Sequence, residues 1–222
     1  MNEDRLCIDL CSGLGGFSRA FVDAGWEVIT LDWNKKFNPT ILGDVRQLGA
    51  LNLINASKKG TLGLVDYERI HIHSSPPCDR FSFARRAWPE RGIRSACDTI
   101  GACLEITAEI RMLVSWTEDR SKITASMENP KGRLRWILGK PDTTVKLSDY
   151  GAPYKKSTDL WTWRFTLPLL ESTKPYTSSM TSYQNKGKGS TGLLRIRDPE
   201  QRAKLPLGLS QAILETVSGE GT

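Results

Sequence analysis

The sequence predicts an α/β protein with an open, mostly parallel sheet, helices on both of its faces, and a small, mainly irregular or β second lobe. Three observations predict it. Short apolar runs that read as strands alternate with stretches of helical spacing. A glycine-rich turn joins the first strand to the first helix. Acidic residues recur at predicted strand ends, where open α/β sheets hold their ligands.

Taken in order, RLCIDLC (5–11) is a short buried strand, SGLGG a turn, and FSRAFVDAG an amphipathic helix that ends at Gly25. WEVITLD (26–32) is the second strand, IHIHSS (70–75) a later one and SKITASMEN (121–129) another. Between the last two, SACDTIGACLEITAEIRMLVSW repeats Ile100, Leu104, Ile110 and Val114 at helical spacing. After about residue 140, LSDYGAPYKKSTDLWTWRF carries β and turn signals, and residues 171–192 are rich in Ser, Thr, Lys and Gly. LPLGLSQAILETV reads as a final short helix.

With 222 residues, the chain has room for one sizeable domain or a domain plus a small lobe. No stretch approaches the apolar run of a membrane span, so no membrane partner is expected. The start, MNEDRLCIDL, lacks the basic opening of a secretory signal and points to a cytoplasmic protein. The five cysteines (Cys7, Cys11, Cys78, Cys97 and Cys103) form no C-x-x-C pair, which argues against structural zinc; no metal is expected. A formal charge of +6 and a pI near 9.1 fit a polyanionic partner, because neutralising phosphates releases counterions.

In DLCSGLGGFSRAF (9–21), glycines let a ligand approach the backbone, and the following helix start offers unpaired N–H groups. Such a turn serves as well with no ligand at all. Asp32 in TLDW and Asp44 in GDVRQL, each at a strand end, turn the pattern into a nucleoside-type cofactor pocket. SSPPC then places Cys78 behind two prolines that fix the backbone. An isolated Cys is more often core packing, but the polar sequel DRFSFARRAWPERGIR argues against a core position. A free thiol titrates near ~8.5, so an attacking Cys needs a neighbour that raises its thiolate fraction. No histidine follows it, and His71 and His73 read as packed or edge residues. MENP sets Glu128 and Asn129 at another strand end. Alone, Glu128 is a surface acid; beside a thiol, it is what attack on a heteroaromatic ring requires, since a hydrogen bond to a ring nitrogen makes the adjacent carbon electrophilic.

These motifs together resemble the DNA (cytosine-5)-methyltransferase family, especially its short phage or prophage type. DLCSGLGG resembles Asp-Leu-Phe-Ser-Gly-x-Gly-Gly, TLDW the acid and tryptophan that follow the second strand, and GDVRQL the Gly-Asp-Ile/Val motif. SPPCDRFS is similar to the Pro-Pro-Cys loop, MENPKGRL to Glu-Asn-Pro-x-Gly-Arg, and YGAPYKKST to Tyr-Gly-x-Pro-Gln-x-Arg-x-Arg. Their order is right from about residue 9 to 160. The resemblance implies a class I, Rossmann-like methyltransferase using S-adenosylmethionine. It implies a catalytic and cofactor-binding domain over 1–148, a reduced target-recognition lobe over 149–194, and a segment, 195–222, that returns to the first domain.

The same resemblance implies roles. Cys78 attacks carbon 6 of a cytosine flipped from double-stranded DNA, Glu128 hydrogen-bonds ring nitrogen 3, and Asn129 holds the catalytic loop. Glu128 is then expected in a buried setting that raises its pKa. Cys11, Ser12, Gly13, Leu14, Gly15, Asp32, Trp33, Asp44, Val45 and Pro76 line the cofactor, with Asp32 on its ribose, Trp33 on adenine and Asp44 on the adenine amine. The departures are Cys11 in place of a Phe, and Tyr154, Lys156 and Thr158 in the three places of Gln-x-Arg-x-Arg. Lysine is a point charge where arginine is a fork, so contacts to the base and to Glu128 must be rebuilt; Lys156 is the candidate. The family's closing Gly-Asn-Ser motif has no clear match, and RIRDPEQRAKLPLGLSQAI stands in its place.

Arg80, Arg85, Arg86, Arg91 and Arg94 follow Cys78 and suit phosphate contact by a closing loop, as do Lys155, Lys186, Lys188 and Arg195 farther on; a solvated face is the bland alternative. The chain is expected to act as a monomer. Two other readings stay open: the same chemistry on RNA or with another sulfonium donor, and an inactive relative that binds cofactor or nucleic acid as a regulator.

Overall fold

The structure, a computed structural model, describes residues 4–82, 92–115, 122–167 and 204–219. In chain order the elements are β1 (Arg5–Leu10), α1 (Arg19–Asp23), β2 (Glu27–Asp32), β3 (Ile41–Leu42), α2 (Ala50–Ile54), β4 (Arg69–Ser74), α3 (Ile93–Ser115), β5 (Ile123–Pro130), α4 (Arg135–Leu138), β6 (Thr143–Lys146), β7 (Ser157–Trp163) and α5 (Leu207–Ser218). The strands form one sheet in the order β3-β2-β1-β4-β5-β7-β6. β1 to β5 run parallel; β7 lies antiparallel between β5 and β6. This is the open, mostly parallel, Rossmann-like α/β fold that the sequence predicts. No helix among the described residues is long and apolar enough to cross a membrane.

The central strands are apolar on both sides because both sides are covered. On one face Leu6, Ile8, Leu10, Ile70, Ile72, Ala125 and Met127 pack against α2 and α3 through Leu53, Ile100, Cys103, Ile106 and Ile110. On the other, Cys7, Phe17, Phe21 and Leu160 pack with Leu209, Ile213 and Val217 of α5. The predicted helical spacing in α3 is therefore the buried stripe of a helix, although Leu104 is only partly covered.

Residues 157–163, within the span that the sequence assigns to a second lobe, are β7 of the central sheet. Thr158, Asp159 and Leu160 are fully buried there, and the Asp159 carboxylate is compensated by the Arg135 guanidinium and by the Thr144 hydroxyl at 2.8 Å. The β signal of STDLWTW was legible; its partners lie about thirty residues upstream, in β5, and in β6, and strand pairing at that range leaves no local signature.

Candidate active site

A cavity of about 690 Å3 opens at the carboxyl ends of β1, β2 and β4. The chain leaves β1 through Cys11, whose φ of 59° is unusual for a residue with a side chain, and enters the turn 12–16. Cys11 lies beside Cys103, and that contact and burial push its thiol pKa up. The Gly13 N–H donates to Asp32 Oδ2 at 2.9 Å and the Asn34 N–H to Asp32 Oδ1 at 2.9 Å. Two backbone donors from different elements thus orient a buried carboxylate at the cavity wall. Beside it, Trp33 is 72% exposed. Asp44 accepts the Arg46 N–H at 3.0 Å and the Arg46 guanidinium, which holds the Asp44 carboxyl below the usual carboxylate range.

Of the residues predicted to line a cofactor, Cys11, Ser12, Gly13, Leu14, Asp32, Trp33, Asp44 and Val45 border this cavity. Pro76 does not: it is buried, and the wall there is made by Ser75 and Pro77. At the turn, Gly16 rather than Gly15 lies on the wall. A Cβ on Gly16 would come within 2.9 Å of the Leu205 backbone, so only glycine lets 204–205 cross so closely. Lys204 and Leu205 close that side of the cavity. They are held by the Ser210 hydroxyl donating to the Phe17 carbonyl and the Tyr154 hydroxyl to the Lys204 carbonyl at 3.3 Å. Phe17, Phe37, Ser75, Ser95, Thr99, Lys204 and Leu205 were missed in the sequence, since their approach is set by tertiary packing.

Next to this cavity the chain leaves β4 through Pro76, Pro77 and Cys78. Asn129 is fully buried, and its Nδ2 donates to the Pro76 carbonyl at 3.0 Å, tying the end of β5 to the proline pair. Proline cannot satisfy its neighbours with an N–H, so this side-chain bond holds the loop. Beyond Cys78 a tight turn forms, with the Phe81 and Ser82 N–H groups donating to the Cys78 carbonyl at 3.0 and 2.9 Å. The loop is then pinned to the segment after β5: Ser82 pairs with Gly132, and the Arg133 N–H donates to the Phe81 carbonyl at 2.7 Å. A Cβ on Gly132 would meet the Phe81 carbonyl oxygen at 2.3 Å. Gly132→Ala is therefore expected to displace the Cys78 loop and to cost ~1–3 kcal/mol in urea unfolding, as overpacking against rigid backbone does. An unchanged urea midpoint would show that the loop is not pinned here.

The thiol and the acid meet in one electrostatic field. Burial pushes the Cys78 thiol pKa up, and the Lys156 ammonium opposes that shift. Burial likewise raises the pKa of Glu128, 5% exposed, again against Lys156. Thr158 donates its hydroxyl to Glu128 Oε1. Thr158 is the second residue of antiparallel β7 and Lys156 immediately precedes the strand, whose first residues reach the same sheet edge as the last residues of β4 and β5. The sequence named Lys156 for this place; Thr158 as the partner of Glu128 emerges from the alternation of β7. Tyr154, the third residue of the set, is buried against the C-terminal segment.

Arg80 pairs with Asp79 at 3.0 Å and lies against Gly92, while Lys155 is exposed near the site. Arg94 falls at the start of α3. Arg85, Arg86, Arg91, Lys186, Lys188 and Arg195 lie outside the described residues. Among the described residues no cluster of His, Cys, Asp and Glu could hold a metal ion.

No protein-family model matches the chain, and no curated protein does. Among solved structures, it is similar to a triple mutant of DNMT2 from Spodoptera frugiperda, with 17% identity and a TM-score of 0.39 over 72% of this chain. The chain spans 50% of the length of that structure.

Proposed function

We propose that this protein transfers a methyl group from S-adenosylmethionine to carbon 5 of cytosine in DNA. The observation that carries the reading is the convergence of Cys78, Glu128 and Lys156 at the sheet edge beside the cavity. The cavity volume falls within the ~300–1,000 Å3 of small-molecule sites. Its wall joins a backbone-oriented carboxylate, Asp32, to an exposed aromatic, Trp33, and an acid, Asp44, which suits a nucleoside. Asp32 would hold the ribose, Trp33 the adenine face and Asp44 its amine; the turn 12–14 would take the amino-acid end. The group supplies an electrophilic methyl carbon on a sulfonium.

In this reading the protein's own residues take the following parts. Cys78, as thiolate, attacks carbon 6 of a cytosine held beside it. Glu128, whose pKa burial raises, donates in its protonated form to ring nitrogen 3 and disperses the charge that the attack pushes into the ring. Carbon 5 would then be nucleophilic toward the methyl carbon, whose bond to sulfur would break to leave a thioether; loss of the carbon 5 proton to water and departure of Cys78 as thiolate would restore the ring. Asn129, through the Pro76 carbonyl, keeps the thiol aimed. Lys156 eases formation of the thiolate.

The test is transfer of labelled methyl groups from S-adenosylmethionine to double-stranded DNA and to tRNA, followed by bisulfite sequencing of the product. Label in DNA as 5-methylcytosine is expected. Label in tRNA alone would overturn the substrate, and binding without transfer to either would overturn the activity.

A further inference from the structure

A buried polar chain that the proposed chemistry leaves unused runs between β4 and β5. Both histidines of the protein are fully buried in it. Thr124 Oγ1 lies 2.9 Å from His71 Nδ1, and His71 Nε2 lies 3.1 Å from Ser126 Oγ. Ser126 Oγ lies 2.7 Å from His73 Nδ1, and His73 Nε2 lies 2.9 Å from Ser75 Oγ. The last member, Ser75, is on the cavity wall. The Phe17 ring stacks on His73 with centroids 3.5 Å apart and planes 9° from parallel, sealing it from water.

Burial lowers the pKa of His71 to about 3 and that of His73 well below its usual value, so both rings are neutral. Asp9, the acid in register with His73 on β1, is itself pushed up to about 7 by burial. A neutral imidazole has one donor and one acceptor and a hydroxyl has one proton, so a proton on His71 Nδ1 fixes the direction of all four bonds. At the far end the Thr124 hydroxyl also reaches the Ile70 carbonyl, at 3.5 Å, and a carbonyl only accepts. Taking that carbonyl as the recipient of the Thr124 proton, Thr124 accepts from His71 Nδ1–H, His71 Nε2 accepts from Ser126, Ser126 accepts from His73 Nδ1–H, and His73 Nε2 accepts from Ser75. Ser75 then turns only lone pairs toward the cavity. Its own N–H donates to the Leu10 carbonyl at 3.0 Å, which sets it beside the glycine turn, across β1 from Asp32 and Trp33 on the β2 side.

We propose that His73 is a positioning residue that fixes Ser75 as a hydrogen-bond acceptor, and that Ser75 takes the α-ammonium group at the amino-acid end of the bound ligand. This rests on the cofactor reading above. The test pairs truncation of the residue with truncation of the ligand. Calorimetry on the full chain is expected to show Ser75→Ala binding S-adenosylhomocysteine about tenfold more weakly. The same variant should bind 5′-methylthioadenosine, which lacks the amino-acid end, within about twofold of the unaltered protein. Ser75→Thr, which keeps the hydroxyl, should retain the affinity. Equal losses for both ligands, or none for either, would overturn the assignment. Independently, nitrogen-15 NMR of the two histidines should show the proton on Nδ1 of both rings. Protons on Nε2 would turn Ser75 into a donor and overturn the proposed direction. If the unaltered protein bound neither ligand, the cofactor reading itself would fail, and with it the ligand of Ser75, whatever the tautomers.

Discussion

Cys78→Ala is expected to reduce methyl transfer on the order of 10^4-fold or more, and to abolish covalent capture on DNA carrying a mechanism-based cytosine analogue. Affinity for S-adenosylmethionine should stay within about twofold, because Cys78 is not part of the cavity wall. The loss is this large because no other thiol can substitute. Cys7 and Cys103 are fully buried, Cys97 on α3 packs against the core, and Cys11 belongs to the wall of the cofactor cavity beside Cys103. The loop that carries Cys78 is held by Asn129, Gly132 and Arg133 rather than by the thiol, so the variant should keep its urea midpoint. Single-turnover transfer, gel capture and calorimetry on one preparation check all three. Residual capture with Ala at position 78 would remove Cys78 as the nucleophile.

The residues that made this site legible are those whose chemistry is local. SSPPC announces a rigid presentation of its cysteine by backbone geometry alone, and the structure adds the Asn129 bond that completes it. TLDW puts an acid at a strand end, and parallel pairing of β1 with β2 carries that acid to the glycine turn, where two N–H groups orient it. What stayed hidden depends on contacts between distant segments. Lys204 and Leu205 reach the cavity only because α5 packs its Leu209 and Ile213 against Phe17 and Phe21. STDLWTW read as β, but its place between β5 and β6 decides that Thr158, not only Lys156, faces Glu128. His71 and His73 read correctly as packed residues. Their partners Thr124 and Ser126 sit on β5, about fifty residues away, and period-two alternation on β4 could not name them.

The pH dependence of kcat/KM should expose the opposed demands on Cys78 and Glu128. Attack requires the thiolate, whose pKa burial raises, so the rate climbs as pH rises toward that pKa. Donation to the ring requires protonated Glu128, whose pKa burial also raises, so the rate falls as pH rises through it. Lys156 lowers both, and Lys156→Met should move both limbs of the profile to higher pH while leaving its shape; a profile that stayed in place would show that Lys156 does not couple to the pair. Glu128→Gln removes the titration, so the falling limb should disappear, with transfer reduced ~10^2- to 10^4-fold. The same variant should gain stability above neutral pH. A carboxyl with a raised folded pKa binds more protons in the native state than in the unfolded one, so it makes stability fall as pH rises from the unfolded value through the folded one. Glutamine carries no such cost: its urea midpoint should exceed that of the unaltered protein at alkaline pH and approach it in acid, where Glu128 is protonated in both states. A variant that lost activity and stability together at every pH would make Glu128 a structural residue instead.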